Sequence, residues 1–356
     1  MKNLTPLIII LFLTLSLFSC EEEIEMDKSQ IVLHGILMEG KSPKIILCES
    51  LNTFPEYPFN IKYFSQPFYI YENHKNLEIN MYCDSNQYNN FETKSQEVYN
   101  DSWTSVNATN YVNYFIDESL ISEAGKYYSI EIKELPDEYG NKIGYKDLKA
   151  KTYIPTKIPI TIEQQKDVIN YEELIYNNSD TLYNSVYHIS FSDPVSTDDY
   201  YYLSFSKVIC STDFIMDTVD MDDLWNRSAG FSFNFNSTIL YNLKYGEANI
   251  EGMNFVSDNA SAGFLFADES FNGETKIVQV EIINRQEIND FGYFVVELMH
   301  VSEEYYKYYK SVYTQGYSQY ITNAESTQIF TNIENGIGIF AGANMSTSYI
   351  KLEPNP

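Results

Sequence analysis

Basic residues are scarce. Lys and Arg number 23 against 50 Asp and Glu in a chain of 356 residues, for a formal net charge of −27. Phosphate recognition needs clustered Lys and Arg, so the acid excess argues against nucleic-acid binding. It argues equally against attachment to anionic lipid through basic patches. Cysteine is scarce as well. Apart from Cys20 there are Cys48, Cys83 and Cys210, an odd number with no C-x-x-C spacing, so a zinc or redox motif has no support. Cys48 and Cys83 fall in the same half of the chain, where a bridge and a pair of buried apolar thiols are both open readings. No apolar run reaches the roughly 20 residues that a membrane-crossing helix needs. Enzyme signatures are missing too: there is no G-x-S-x-G, no H-E-x-x-H and no Walker loop. The four histidines, His34, His74, His188 and His300, are scattered, and three of them sit in strand-like runs that suit structural histidines.

What is present begins with an address. Met1 to Cys20 reads MKNLTPLIIILFLTLSLFSC, with Lys2 as a short positive region and Leu7 to Phe18 as an apolar stretch of secretion-signal length. The end, Leu17-Phe18-Ser19-Cys20, resembles a bacterial lipobox: an aliphatic residue, a small residue before the cut, then the Cys that is acylated. Residues 1–19 are therefore expected to be removed, and Cys20 to carry the acyl chains that attach the protein to a lipid bilayer. Several such chains hold a protein firmly where one does not. Glu21, Glu22, Glu23 and Glu25 follow at once. This acidic cluster resembles the signal that sends lipoproteins of Bacteroidetes-type bacteria to the outer face of the outer membrane. Residues 20–29 read as the tether.

Beyond the tether, alternation dominates. Ile31 to Leu37 and Lys44 to Cys48 read as strands about a turn at Gly40 and Pro43. Asn76 to Cys83 alternates strictly, with Leu77, Ile79, Met81 and Cys83 on one face. In Ala124 to Ile132, a turn leads into a strand with Tyr128, Ile130 and Ile132 inward. Leu51 to Tyr71 breaks the pattern with Pro55, Pro58 and Pro67 among eight aromatic residues, and reads as a loop. Thr152 to Pro159 reads as an extended connector stiffened by Pro155 and Pro159. In the second half, Val186 to Phe191, Tyr200 to Val208, Phe231 to Phe235, Lys276 to Ile283 and Tyr293 to Val301 read as strands, the last apolar on both faces and so central.

One helix interrupts the strands. Ser302 can cap it, Glu303 and Glu304 suit its positive end, and Tyr305, Tyr308, Tyr309 and Val312 fall on one face that reads as a packing surface. Gly316 is placed to stop it. The last segment holds the turn signal Asn335-Gly336, and Gly338 and Gly342 suggest close backbone approach rather than a phosphate cradle. The fold class is therefore mainly β: two β-sandwich-like domains in tandem with one short helix, Ser302 to Val312. The first, of immunoglobulin or fibronectin type, covers residues 30–154, a linker covers 155–160, and a β-rich domain covers 161–356.

The closing run Thr331 to Asn344, TNIENGIGIFAGAN, resembles the C-terminal signature of the domain-of-unknown-function 4249 family, lipoproteins of Bacteroidetes. Other pieces agree in order. Cys20 to Glu25 resembles the family's mature start, and Ile31 to Leu37 its first strand. Phe191-Ser192-Asp193-Pro194 with Asp199-Tyr200-Tyr201-Tyr202 resembles its Asp-Pro and Tyr-Tyr region. Phe266 to Gly273 resembles its Asp-x-x-Phe-x-Gly turn, and Ser302 to Tyr308 its helix. The resemblance implies an envelope lipoprotein that accompanies an outer-membrane TonB-dependent receptor. It implies no catalytic residues.

Candidate sites are few. Trp103 and Trp225 lie in polar, loop-like sequence and are the best candidates for stacking on a glycan or peptide ligand. The acidic run Asp213, Asp217, Asp220, Asp222 and Asp223 is the best cation candidate, with Asp217, Asp220 and Asp222 as ligands of a structural calcium. It lacks the Gly and terminal Glu of an EF-hand loop, and a solvated loop is the plainer reading. No catalytic group and no other cofactor is expected. The function expected is a non-enzymatic, surface-facing outer-membrane lipoprotein that captures a ligand for a TonB-dependent transporter. A surface adhesin or structural envelope component is the alternative, and a glycan- or peptide-degrading enzyme stands third.

Overall fold

The computed structural model describes residues 31–49, 77–84, 86–98, 110–136, 139, 146–175, 178–195, 197–209, 232–235, 255–256, 261–269, 271–285, 292–318 and 328–352. The first half contributes eight strands: β1 (Ile31–Met38), β2 (Lys44–Glu49), β3 (Leu77–Cys83), β4 (Asn86–Tyr88), β5 (Glu92–Val98), β6 (Asn110–Ile116), β7 (Tyr127–Glu134) and β8 (Leu148–Tyr153). The second half adds β9 (Ile160–Ile175), β10 (Asn178–Ser192), β11 (Tyr200–Ile209), β12 (Ser232–Phe235), β13 (Phe255–Val256), β14 (Ser261–Ala267), β15 (Thr275–Arg285) and β16 (Gly292–Val301). Helix α1 (Glu303–Ser318) and strand β17 (Ile337–Leu352) complete the order.

These strands form three sheets. A long one runs β14-β11-β16-β17-β1-β2-β6-β5, a second β13-β12-β15-β10-β9, and a third β4-β3-β7-β8. The fold is mainly β and sandwich-like, as the alternation predicts. Two sandwiches share the long sheet. Its first-half strands face the four-stranded sheet across a core of Leu33, Leu47, Ile79, Met81, Ile130, Ile132 and Leu148. Its second-half strands face the five-stranded sheet across Tyr187, Phe191, Tyr201, Phe205, Phe266 and Phe294. Period-two alternation explains the packing: β1 buries every second residue from Ile31 to Leu37, and β7 every second residue from Tyr128 to Glu134.

The join lies at β17, which pairs antiparallel with β16 and parallel with β1. Segments 30–154 and 161–356 are thus linked through a sheet as well as through the connector. The connector is anchored in both cores, Ile154 in the first and Ile158 in the second, while Thr156, Lys157 and Pro159 stay exposed. Two glycines permit the tight crossing. A Cβ on Gly342 would lie 2.1 Å from the Tyr153 carbonyl oxygen, and one on Gly338 would lie 2.0 Å from the Leu33 carbonyl oxygen. Gly338 also has φ +109°, which other residues rarely adopt. Both therefore serve the close approach the sequence suggested.

The expected helix is present but longer. It runs from Glu303 to Ser318, past Val312 and through Gly316. Glycine weakens a helix interior by about 1 kcal/mol without forcing an end. Ser302 caps it, accepting from the Tyr305 N–H at 3.4 Å. Tyr305 and Tyr308 are buried on the outer face of the long sheet, against Leu265, Ile339 and Ala341. Strand β16 is central, between β11 and β17, as its apolar faces require.

Several strands escape the sequence reading, among them β5, β6, β8, β9 and β14, and the expected connector begins inside β8. β9 reads ITIEQQKDVINYEELI, whose polar start hides a long hairpin partner of β10. Cys48 and Cys83 are free thiols, both buried, so the bridge left open by their positions is not formed. Burial pushes the Cys48 thiol up to about 11. Leu51 to Tyr71 lies outside the described residues.

Candidate functional site

The second sandwich has an open end where its strands finish together. Register sets this up. Tyr200, the first residue of β11, pairs with Ala267 at the end of β14 and with Val301 at the end of β16. Asp199 and Asp268 therefore fall one residue beyond the last paired row of the long sheet. Across the core, β10 ends at the Ser192–Thr275 pair, so Asp193 lies one residue beyond the end of the opposite sheet. Chain segments some seventy residues apart are thus brought to one point. One oxygen from each of the three carboxylates lies within 4.8 Å of one from each of the others.

All three are buried, at 5% (Asp193), 7% (Asp199) and 2% (Asp268) exposure. Asp193 is well supplied. Its Oδ1 accepts from the Tyr201 hydroxyl at 2.5 Å, and its Oδ2 from the Gly273 N–H at 2.7 Å. The first bond ties the two sheets together. The second explains a glycine: Gly273 has φ +76°, which turns its N–H toward Asp193. Asp199 is supplied as well. Its Oδ2 accepts from the Thr197 hydroxyl at 2.5 Å, and its Oδ1 lies 2.8 Å from His300 Nε2. His300 Nδ1 in turn lies 2.8 Å from the Thr156 carbonyl oxygen. Both ring nitrogens thus face oxygen acceptors.

Asp268 differs. Its Oδ2 is buried and has no hydrogen-bond partner. Its electrostatics follow. Burial raises its carboxyl above the ordinary value, and the charges of Asp193 and Asp199 add to that rise against hydrogen bonding from the backbone. For Asp199, burial also pushes upward, but the bonds from His300 and Thr197 outweigh it and hold the carboxyl below its ordinary value. Tyr201 is pushed well up, by burial first and then by its bond to Asp193.

Beside this cluster a cavity of about 470 Å³ lies between the two sandwiches. Tyr127 and Tyr153 form its first-sandwich wall, Pro155 and Thr156 its connector wall, and Asp198, Asp199 and His300 its second-sandwich wall. Glu303 and Glu304, at the start of α1, close it. Tyr127 and Tyr153 pack with ring centroids 4.8 Å apart, and Tyr127 is 73% exposed. The volume is that of a small-molecule site. Its aromatic faces and carboxylates suit a ligand that carries an amine or another cationic group on a flat or apolar body.

Cys20, Glu21, Glu22, Glu23, Glu25, Trp103, Trp225, Asp217, Asp220 and Asp222 all lie outside the described residues. His300 is placed as expected of a structural histidine, with both nitrogens engaged. The Asp193/Asp199/Asp268 cluster was missed as a site, although each residue lies in a segment that resembled the 4249 family. The available signal was a common one: each aspartate directly follows or precedes an apolar strand.

The chain matches the family described as Domain of unknown function (DUF4249) over residues 19–348, and it belongs to that family. No curated protein matches it. Three solved structures are similar at low identity. A protein from Corynebacterium diphtheriae described as membrane anchored is 7% identical, with a TM-score of 0.19, over 78% of this chain and 55% of that one. This chain thus spans little more than half that protein's length. BspA_C_mut is 7% identical, with a TM-score of 0.20, over 76% and 93% of the two chains. The collagen-binding domain of the surface protein RspB of Erysipelothrix rhusiopathiae is 8% identical, with a TM-score of 0.17, over 90% and 96%. Superpositions this weak carry no argument about this chain.

Proposed function

We propose that this member of the 4249 family is a non-enzymatic lipoprotein of the bacterial outer membrane. In this reading it is anchored through acylated Cys20, faces the cell exterior, and captures a ligand for a TonB-dependent transporter. The observation that carries the address is the Leu17-Phe18-Ser19-Cys20 sequence followed by Glu21-Glu22-Glu23. Support for capture rather than turnover comes from the cleft. Asp199, the most buried carboxylate in its lining, accepts hydrogen bonds at both oxygens and is held below its ordinary pKa. That suits a fixed anion that binds, since a general base works best with a pKa near the operating pH.

Copurification tests this. The tagged protein, extracted from outer membranes in mild detergent, should bring down a β-barrel transporter, and Cys20→Ala should release it from the membrane fraction. Repeated extraction without a transporter would sink the transporter reading. If deletion then abolished surface attachment while nutrient uptake stayed normal, the adhesin reading would replace it.

A further inference from the structure

We propose that Asp193, Asp199 and Asp268 form a calcium site that locks the open end of the second sandwich. This does not rest on the transporter reading. Three buried carboxylates converge, with ligand oxygens within 4.8 Å of one another. Calcium binds oxygen at about 2.3–2.6 Å, so oxygens on opposite sides of one ion lie roughly 4.6–5.2 Å apart. The second observation is the orphan oxygen. Asp268 is 2% exposed, and its Oδ2 receives no hydrogen bond although Asp193 and Asp199 each receive two. A buried carboxylate with one unpartnered oxygen, in a cluster with two further carboxylates, is costly unless a cation or a proton meets it.

Charge and ligand chemistry agree. Among the hydrogen bonds and ion pairs of the three described aspartates, His300 is the one basic partner. Three carboxylates that share one imidazole partner leave an excess of acid, which a cation offsets. The donors that converge are all oxygens, which suits a hard cation rather than zinc. Magnesium demands a near-ideal octahedron, whereas calcium accepts the irregular geometry that three separate strand ends impose. Hydroxyl and amide donors on Asp193 and Asp199 hold those carboxylates in place, as outer-shell groups do at metal sites. The ion would bridge the ends of β10, β11 and β14, so its effect is on stability and on the cleft wall beside Asp199.

The test uses the full chain in detergent, stripped with a chelator. Calcium titration should give one ion per chain. The melting temperature should rise by about 5–10 °C when calcium exceeds its Kd a hundredfold, and equal magnesium should move it less. Asp268→Asn should lose both the uptake and the shift. As a control, the triple change Asp217→Asn, Asp220→Asn, Asp222→Asn should keep both. The proposal is overturned if the wild type takes up no calcium and its melting point ignores the chelator, the result expected if Asp268 simply carries a proton. It is overturned too if the triple variant loses binding while Asp268→Asn keeps it. Should Asp268→Asn fail to fold, calcium content of the wild type and of the triple variant still decides.

Discussion

The two sandwiches bury carboxylates in different ways. In the first, Asp117 is 2% exposed, yet its own turn and the Asn90 backbone satisfy both its oxygens. Its Oδ1 accepts from the Ser119 N–H at 3.0 Å and from the Ser119 hydroxyl, and its Oδ2 accepts from the Asn90 N–H at 3.2 Å. That carboxylate is a turn staple and requires nothing further. In the second, three aspartates from separate strand ends share one pocket, and one oxygen stays unsatisfied. The cores differ in parallel: aliphatic around β1, β3 and β7, aromatic around β10, β11 and β14. A single buried acid with local donors is a folding device. Several converging acids, one of them short of a donor, mark a place where something else belongs.

The largest effect should come from the join that makes the comparison possible. Gly342→Ala sets a Cβ 2.1 Å from the Tyr153 carbonyl oxygen, a backbone clash that no side-chain rotation relieves. We expect a loss of about 4 kcal/mol or more in urea unfolding, and a single transition reported by probes in both sandwiches. Two separated transitions would show that the shared sheet does not couple them.

The next prediction sharpens the contrast between acids. Asp117→Ala strands the Asn90 and Ser119 N–H groups and should cost about 1–3 kcal/mol whether or not calcium is present. Asp193→Ala strands the Tyr201 hydroxyl and the Gly273 N–H, but also relieves its repulsion of Asp268. Its cost should therefore be small in chelator and of the same order as Asp117→Ala, or larger, in calcium. Equal costs for Asp193→Ala in the two buffers would erase the distinction.

The smallest effect is a pH slope. Glu297, on β16, is buried and accepts a hydrogen bond from the Ser204 hydroxyl at 3.1 Å. Burial raises its carboxyl above 4.5, more than the Ser204 bond and the charge of Lys41 lower it. A raised folded-state value means that the native protein binds the proton more tightly than the unfolded chain. Stability from this group is then full below pH 4.5 and is lost as pH rises through the folded value. Glu297→Gln should therefore gain stability relative to wild type at neutral pH, with the gain vanishing by about pH 4. A gain independent of pH would assign the effect to packing instead.

Sequence alone determined the strands whose apolar faces alternate, because period two is a local property. Ile31 to Leu37, Leu77 to Cys83 and Tyr127 to Ile132 are legible for that reason, Tyr293 to Val301 as a continuous apolar run, and Ser302 as a cap by its residue type. Polar-faced β9 was not, because its partner in the hairpin decides its conformation. Helix α1 outran Gly316 because a glycine permits a helix end without imposing one. The proposed leader and lipidation at Cys20 rest on linear signals alone. The tertiary structure decided what no linear pattern holds. It joined the two halves through a parallel β1–β17 pair, an arrangement of strands more than three hundred residues apart. It also brought Asp193, Asp199 and Asp268 to one point, because strand register, set by pairing, determines where each chain leaves its sheet. In a chain with 50 acidic residues, only that convergence separates three of them from the rest.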